Sequence, residues 1–455
     1  MMETDRLLQK TYNMAFNSNY LSTPSKDIPN WVGLRWSHCE PVQMHRSDFS
    51  KDRDRILYSK SFLRLRGKTQ VFMLQKNDYI RTRMTHSLEV NQLAKSIASA
   101  LGHNLDLTEA IALGHDVVHT PFGHVGERTL ADILKEEIKV PDDMKGFKHN
   151  LQALRLLCDL EKGADYPRKK GLNLTKFTLW GIAHHSSVNR KKDAQGNPLE
   201  PIQTDHPIYD SYLREISEYW SFEGMIVALA DEIAQRHHDI EDSLRYGIIK
   251  RDELLEEIEQ FKPIWKKQEK EVYNRLKNEC RTLDEPVFNS LFARLVVNMY
   301  VTHAINSTKE NLKALANQYS ITKRQDFLNV KSSIPSSDYN RCVTLGQELY
   351  LLDVVFQQYL KNKVLSSFQA QAMDGKAEYI IRKLFEAFKM HPSQLPDTAL
   401  FSFAGFINVS PNRKDVLSTV SGNETVLCRC IADYIGGMTD QFAYDEFDRL
   451  YGTKV

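Results

Sequence analysis

The 455-residue chain has almost no net charge and no long apolar run. Its 60 Lys and Arg balance 59 Asp and Glu, so the total charge indicates neither a strongly basic nucleic-acid binder nor an acidic tail protein. The longest apolar stretches, such as 224–230, fall far below the ~18 residues of a membrane span. The first residues also lack the basic and apolar blocks of a signal peptide. We therefore expect a cytoplasmic protein with no membrane partner.

Cysteine is scarce as well, with six residues in the whole chain. They are too scattered for a disulfide framework, and the one close pair, Cys428 and Cys430, is tighter than the usual zinc-binding spacing. We expect reduced thiols that are mostly buried. Hydrophobic residues (42%) and charged residues (26%) are near the average of globular proteins, which excludes a disordered chain or a fibre.

Strand signals are few, and helical periodicity dominates the sequence. We predict a mainly α, all-α fold in which 401–409 is the best weak candidate for a strand. Loops are expected where Pro, Gly and Asn accumulate without a period, namely over 1–50, 161–173 and 186–208. The clearest predicted helices span 222–246, 251–280, 286–306, 344–367 and 375–389.

Histidines concentrate in the first half of the chain, where thirteen of the fifteen precede residue 239. The densest stretch, 115–127 (HDVVHTPFGHVGE), holds three His, one Asp and one Glu. Because the last turn of a helix opens outward, His115 and Asp116 at a helix end can direct both side chains at one ion. Upstream, 81–90 (RTRMTHSLEV) places His86 near the start of an amphipathic helix.

A polar stripe follows the apolar run near residue 230. Positions three and four apart share one helix face, so the stripe should face inward or into a cleft. Its members are Asp231, Gln235, His238, Asp239 and Asp242. One His, a His-Asp pair and one Asp suit Mn²⁺, Mg²⁺, Fe²⁺, Co²⁺ or Zn²⁺ and leave positions for water and a phosphate oxygen.

These segments together resemble the HD-domain metal-dependent phosphohydrolases, and closely resemble the deoxyguanosinetriphosphate triphosphohydrolase (dGTPase) family. Segments 81–90, 115–127 and 230–242 are similar to the family's first-histidine, HD and final-aspartate motifs. Segments 52–56 and 61–72 resemble its N-terminal block, and 433–440 (DYIGGMTD) resembles a segment typical of dGTPases. The resemblance implies an irregular segment (1–50), an HD-domain helical core (51–310) and a helical C-terminal region (311–455).

The resemblance also implies a reaction and its residues. A deoxynucleoside triphosphate (dNTP) would be hydrolysed to the deoxynucleoside and inorganic triphosphate, with water attacking the α-phosphorus. His124 would be the catalytic histidine and Glu127 its carboxylate partner, since such a pair can exchange protons near neutral pH. An ordinary helix-start residue is the alternative explanation of Glu127. The implied ligands of a divalent ion, Mn²⁺ or Mg²⁺ before other transition metals, are His86, His115, Asp116 and Asp231.

Substrate contacts are implied in the same way. Gln70 and Arg83 match positions that contact the sugar and the α-phosphate, for which a neutral amide and a fixed cation are suitable groups. Asp239 matches a position that accepts from the 3′-hydroxyl, with a helix salt bridge as the alternative. His119 is expected to support the ligands or to contact a phosphate. Further Lys and Arg must neutralise the β- and γ-phosphates, and the sequence does not single them out.

Two positions depart from the family pattern. Gln235 stands where a Tyr is common, which puts sugar or base selection in doubt. Lys148 stands where an acidic residue is common. In addition, His149, His184 and His185 leave a binuclear HD phosphodiesterase or nucleotidase open as an alternative.

A catalytically inactive protein that senses nucleotides or binds nucleic acid is the alternative of another class, and the complete ligand set argues against it. By resemblance, we expect a homo-oligomer, with a hexamer as one option, that prefers dGTP or accepts several dNTPs. A nucleotide or single-stranded DNA effector is a further expectation from the family.

Overall fold

The computed structural model describes residues 18–24, 34–38, 40, 45–69, 81–137, 146–162, 171–186, 209–257, 266, 270, 274, 285–365, 368–404 and 412–452. Within these ranges every regular secondary-structure element is a helix. Pairing of β type is limited to three isolated bridges, the first between Arg35 and Thr175. The predicted all-α fold is therefore confirmed.

The α-helices are numbered in chain order, and short 3₁₀ and π turns extend or join several of them. Their bounds are α1 Asp48–Leu57, α2 Lys60–Arg64, α3 Arg83–Leu101, α4 Leu105–Gly114, α5 His124–Asp132, α6 His149–Arg155, α7 Lys176–His184, α8 Asp210–Ile216, α9 Phe222–Arg245, α10 Arg251–Glu257, α11 Glu285–Gln318, α12 Arg324–Val330, α13 Ser336–Tyr339, α14 Gln347–Leu360, α15 Phe368–Met390, α16 Asp397–Ala404, α17 Arg413–Ser421, α18 Glu424–Gly436 and α19 Asp440–Tyr451.

Most predicted helices are found, and α9 follows its predicted bounds closely. The strand predicted at 401–409 is wrong where the structure describes it, since α16 continues to Ala404. A short apolar run does not distinguish a strand from a helix. Here the carbonyl of Pro396 accepts from the backbone N–H groups of Ala399 and Leu400, which starts a helical turn. Residues 405–409, and most of the predicted loops, lie outside the described residues.

Helix α9 lies at the centre of the first hydrophobic core. Residues 222–230 are buried at every position, and α9 packs against α3, α4, α7 and α11. A helix that is apolar on all sides belongs in the interior of a domain. Asp231 comes directly after this buried half, so its carboxylate is held at the point where α9 becomes polar.

A second hydrophobic core joins α5 to the C-terminal helices. It combines Phe122, Leu130 and Phe147 with residues of α15–α19 such as Phe385 and Ile431. The helix that carries His124 is therefore packed against the C-terminal region rather than against α9. The predicted division between 310 and 311 falls within α11, and the division into a core and a C-terminal region stays a prediction.

Four cysteines lie in the described ranges, and all four, Cys158, Cys342, Cys428 and Cys430, are buried free thiols. This agrees with the predicted reduced state, while Cys39 and Cys280 lie outside the described residues. Among the helices described above, none combines the length and apolar character needed to span a lipid bilayer.

Candidate metal centre

Three helices bring the four predicted ligands together. Thr82 and Thr85 form a capping box that fixes the first turn of α3, and that turn carries His86. His115 and Asp116 follow Gly114, the last residue of α4, so the pair lies at a helix end as the sequence indicated. Asp231 comes from α9.

The ligand atoms of these side chains converge on one point. His86 Nε2 lies 2.9 Å from Asp231 Oδ1, and His115 Nε2 lies 3.7 Å from the same oxygen. Ligand atoms of His86, His115 and Asp116 lie within 4.8 Å of one another. The four residues that the resemblance implied as ligands are thus neighbours in the fold.

The donor set fits a divalent metal ion. His115 Nδ1 donates to the carbonyl of Ala112 (2.7 Å), which leaves the lone pair of its Nε2 available. This Nε2 is buried and has no hydrogen-bond partner among the described residues. A buried nitrogen without a partner is costly, and a metal ion bound to imidazole and carboxylate groups would remove that cost.

Both ligand carboxylates are held in the anionic state that metal binding requires. Burial favours the neutral acid of Asp116, but the Arg83 guanidinium (Nη1 to Oδ2, 2.7 Å) and His115 hold its pKa well below the usual range. Burial acts on Asp231 in the same direction. The hydrogen bond from His86 and the charge of His115 nevertheless hold the pKa of Asp231 well below its ordinary value.

A second histidine group lies beside the ligands, at the start of α5. His124 Nδ1 is 3.2 Å from Glu127 Oε2, and the His124 side chain is 60% exposed. The same carboxylate oxygen lies 2.9 Å from His149 Nδ1. His119 stacks on His149, with ring centroids 4.8 Å apart, and its ring centroid is 5.0 Å from that of His124. An exposed, carboxylate-linked imidazole therefore stands next to the buried metal ligands.

Glu127 is a helix-start residue, as the alternative explanation held, and also an anchor for two histidines. It lies in the first turn of α5, and its Oε1 accepts from the backbone N–H of His149 (3.1 Å). Burial opposes ionisation, but His149 and His124 hold the pKa of Glu127 well below its usual value. The carboxylate is therefore charged at neutral pH and can orient the His124 ring.

The predicted substrate contacts lie at different distances from the ligands. Arg83 is adjacent, and its Nε is buried without an acceptor among the described residues, as is His119 Nδ1. Asp239 accepts from Gln235 Nε2 (2.8 Å) further along α9, and burial raises its pKa to about 6. Gln70 lies outside the described residues.

The histidines of the binuclear alternative divide into two groups. His185 lies against His115 (centroids 5.1 Å apart) and His149 (5.4 Å). His184 instead stacks on Trp180 at 4.3 Å, and its Nδ1 donates to the Trp180 carbonyl. His149 and His185 thus border the candidate centre, whereas His184 packs on its own helix.

Two residues near the centre were not singled out from the sequence. Lys68 is buried, donates to the carbonyls of His119 and Gly436, and has a pKa that burial lowers to about 7. Asp440 accepts from the backbone N–H of Phe122 through Oδ1 (2.9 Å) and from that of Thr69 through Oδ2 (2.8 Å). Both lie in segments that carry the family resemblance, but the contacts with Gly436, Phe122 and Thr69 join positions more than 300 residues apart.

Comparison with known proteins agrees with this geometry. Residues 83–236 match the HD domain, and residues 343–449 match the phosphohydrolase-associated domain. A deoxyguanosinetriphosphate triphosphohydrolase-like protein of Geobacter metallireducens is 33% identical over 90% of each chain. Two relatives with the same description match over a similar share of both chains. One is from Leptospira interrogans (33% identical; 90% of this chain and 91% of the relative) and one is from a Jannaschia species (35% identical; 91% of each chain).

The match spans the ligand-bearing helices α3, α4 and most of α9 as well as the C-terminal helices, and it covers nine-tenths of both chains. The chain belongs to the dGTPase-like family of HD-domain phosphohydrolases.

Proposed function

We propose that this protein is a metal-dependent dNTP triphosphohydrolase that releases the deoxynucleoside and inorganic triphosphate. The observation that carries the proposal is the convergence of His86, His115, Asp116 and Asp231 beside the exposed His124–Glu127 pair. The relatives named above are described as deoxyguanosinetriphosphate triphosphohydrolase-like, which supports the same reaction class. When bound, a divalent ion such as Mn²⁺ or Mg²⁺ polarises a phosphate oxygen and lowers the pKa of its water.

The chain's own residues then bind and orient the α-phosphate. Arg83 is held by Asp116, and its buried Nε is a donor for a phosphate oxygen. His119 is buried, and burial together with Arg83 lowers its pKa well below the ordinary value. It therefore offers a neutral ring nitrogen to the ligand. Lys68, beneath the same turn, adds a cationic or neutral donor that fixes the His119 backbone.

Proton transfer falls to His124. As water adds to the α-phosphorus, the bond to the 5′-oxygen breaks, and that oxygen must gain a proton. His124 donates it from Nε2 as an imidazolium whose Nδ1–H is hydrogen bonded to Glu127, and the proton that the attacking water releases to solvent restores this form for the next turnover. The exposed position of the ring places this nitrogen where a ligand can reach it.

The reaction products test the proposal. Purified protein is incubated with each dNTP and either Mn²⁺ or Mg²⁺, and the products are separated by ion-exchange chromatography. Deoxynucleoside plus inorganic triphosphate, fastest with dGTP if the family preference holds, is the expected result. Deoxynucleoside monophosphate plus pyrophosphate, or no turnover of any dNTP, would rule out this reaction. An Asp231→Asn sample serves as the control for contaminating phosphatases.

A binuclear phosphodiesterase is the second candidate. It is favoured by one observation, which is that ligand atoms of His119, His124 and His149 lie within 4.8 Å of one another beside the first centre. Two metal ions per chain, together with cleavage of a cyclic or diester substrate and intact dNTPs, would favour this candidate. One ion per chain with triphosphate release favours the first.

A further inference from the structure

Hydrogen bonds connect Glu89 on α3, through His238 on α9, to His86, one of the proposed metal ligands. Glu89 Oε2 lies 2.7 Å from His238 Nε2, and His238 Nδ1 lies 3.3 Å from His86 Nδ1. His238 is fully buried, whereas the Glu89 side chain is 26% exposed. The rings of His86 and His238 meet edge to face with centroids 5.1 Å apart. The opposite nitrogen of His86, Nε2, faces Asp231.

The direction of these hydrogen bonds follows from the carboxylate of Glu89. A carboxylate only accepts hydrogen bonds, so Glu89 requires the proton of His238 on Nε2. His238 Nδ1 is then an acceptor, and it requires the proton of His86 on Nδ1. His86 Nε2 then has a lone pair for a metal ion. In the metal-free protein the Asp231 carboxylate, 2.9 Å away, favours the opposite arrangement, because it accepts a hydrogen bond from Nε2. The reverse polarity would put a proton on His86 Nε2 and exclude a metal ion from it.

We propose that Glu89 and His238 are positioning residues that favour the metal-binding tautomer of His86. The proposal rests on the metal centre of the proposed function, but not on the reaction that the centre supports. It extends the usual pairing of a ligand histidine with a carboxylate by one further imidazole. Asp231 favours the competing tautomer, so Glu89 and His238 lower the cost of moving the proton of His86 to Nδ1 when an ion binds.

His237 offers a matched control on the same helix. Its Nδ1 contacts the other oxygen of Glu89, and its Nε2 lies 3.8 Å from Glu241. The adjacent imidazole therefore shares the carboxylate and the helix but belongs to no contact with His86. A variant at His237 also removes an imidazole partner of Glu89 from α9, but it leaves His238 beside His86.

The test compares three variants by direct Mn²⁺ binding, with free Mn²⁺ counted by electron paramagnetic resonance. His238→Phe keeps the ring volume and removes both nitrogens. His238→Gln restores a donor toward Glu89 and an acceptor toward His86, at a spacing close to that of the two imidazole nitrogens. His237→Phe is the control. Circular dichroism and the thermal midpoint without metal check that each variant is folded.

We expect His238→Phe to weaken Mn²⁺ binding about 10–100-fold, as loss of a group that orients a ligand typically does. His238→Gln should recover most of that loss, and His237→Phe should stay within about threefold of the parent protein. Long-range ¹H–¹⁵N spectra of the metal-free proteins should show a larger fraction of His86 protonated on Nδ1 in the parent protein than in His238→Phe, because the variant keeps the acceptor at Asp231 and loses the one at His238.

Equal Mn²⁺ affinity in His238→Phe and the parent protein would overturn the proposal. An equal loss in His237→Phe would also overturn it, because Glu89, His237 and His238 would then bind an ion themselves. If His238→Phe does not fold, Glu89→Ala carries the same expectation, since it removes the acceptor that sets the polarity. Mn²⁺ binding is measured without substrate, so its outcome tests this proposal even if the protein does not hydrolyse dNTPs.

Discussion

Single side chains at the candidate centre differ in burial and hydrogen bonding, which fits the proposed division between holding an ion and moving a proton. His115 is fixed by the carbonyl of Ala112 and has a buried Nε2 without a partner among the described residues. His124 is largely exposed and is fixed by a carboxylate. The two imidazoles lie only nine positions apart, so burial and hydrogen bonding, rather than residue type, distinguish the proposed ligand from the proposed acid.

Replacing His124 with Ala should therefore separate catalysis from metal binding. We expect kcat for dNTP hydrolysis to fall about 10²–10⁴-fold, the usual contribution of a general acid or base. Mn²⁺ affinity should stay unchanged, because His124 is not among the four proposed ligands. His391→Ala, at an exposed position after α15, is the control. An unaltered kcat in His124→Ala would remove this residue from the mechanism.

Lys331 gives a pH-dependent prediction away from the metal centre. Its ammonium lies 4.5 Å from the ring centroid of Trp220 and donates to the carbonyl of Glu218, and burial lowers its pKa to about 7. The unfolded chain keeps this proton up to about pH 10.4. Between these two values the unfolded state binds more protons, so the free energy of unfolding should rise with pH by up to about 1.4 kcal/mol per unit.

Urea denaturation of the parent protein and Lys331→Met from pH 7 to pH 9.5 measures this effect. The variant has no ionisable group at this position. The excess of its free energy of unfolding over that of the parent protein should therefore be largest near pH 7 and should narrow as pH rises. A difference between the two proteins that stays constant over this range would contradict the shifted pKa.

Among the helices, the placement of α5 depends on a contact with the C-terminal region. Phe122 and Gly123, just before α5, both have positive φ (62° and 64°), which is unfavourable for Phe. Asp440 at the start of α19 accepts from the Phe122 backbone N–H, and Phe122 packs in the second core. Gly126 has no room for a side chain, since a Cβ there would lie 2.1 Å from the Pro121 carbonyl oxygen.

Replacing Asp440 with Ala should loosen the turn that carries His124. The buried N–H of Phe122 would lose its acceptor, at a cost of about 1–3 kcal/mol in the free energy of unfolding. Displacement of His124 by about 1 Å should lower kcat by up to ~10²-fold, while Mn²⁺ affinity is kept. Asp445→Ala on the same helix, where the exposed carboxylate accepts from Gln441, is the control. Full activity in Asp440→Ala would show that the turn is held by packing alone.

The sequence predicts local features well and long-range contacts poorly. The helical period located α9, and motif spacing indicated His86, His115, Asp116 and Asp231, which the fold brings together. The link between Phe122 and Asp440 spans more than 300 residues and has no periodic signal. The polar stripe on α9 was visible, and Gln235 donates to Asp239 within the same helix, but the contact of His238 with Glu89 depends on the neighbouring helix α3.

Across the whole molecule, the candidate centre ties together helices of the first core and borders the second. His86, His115 and Asp231 come from α3, the end of α4 and α9, which pack on one another. His124 comes from α5, whose apolar residues belong to the second core. The proposed ligands and the proposed catalytic histidine are therefore carried by different cores, so the proposed activity requires the two cores to stay docked.

This arrangement predicts how metal addition changes thermal unfolding. An ion that binds the folded chain at 100 times its Kd should add about 2.7 kcal/mol to the free energy of unfolding. Calorimetry with excess EDTA and with saturating Mn²⁺ measures the shift.

If the two cores unfold in separate transitions, the ion should raise the midpoint temperature of the transition of the core that contains α3, α4 and α9, because the proposed ligands lie on that core. Asp231→Asn should abolish the shift, whereas Asp445→Asn should keep it. An equal rise of two separate transitions would contradict the placement of the ligands on the first core, and no rise in the parent protein would exclude a tight ion at this centre.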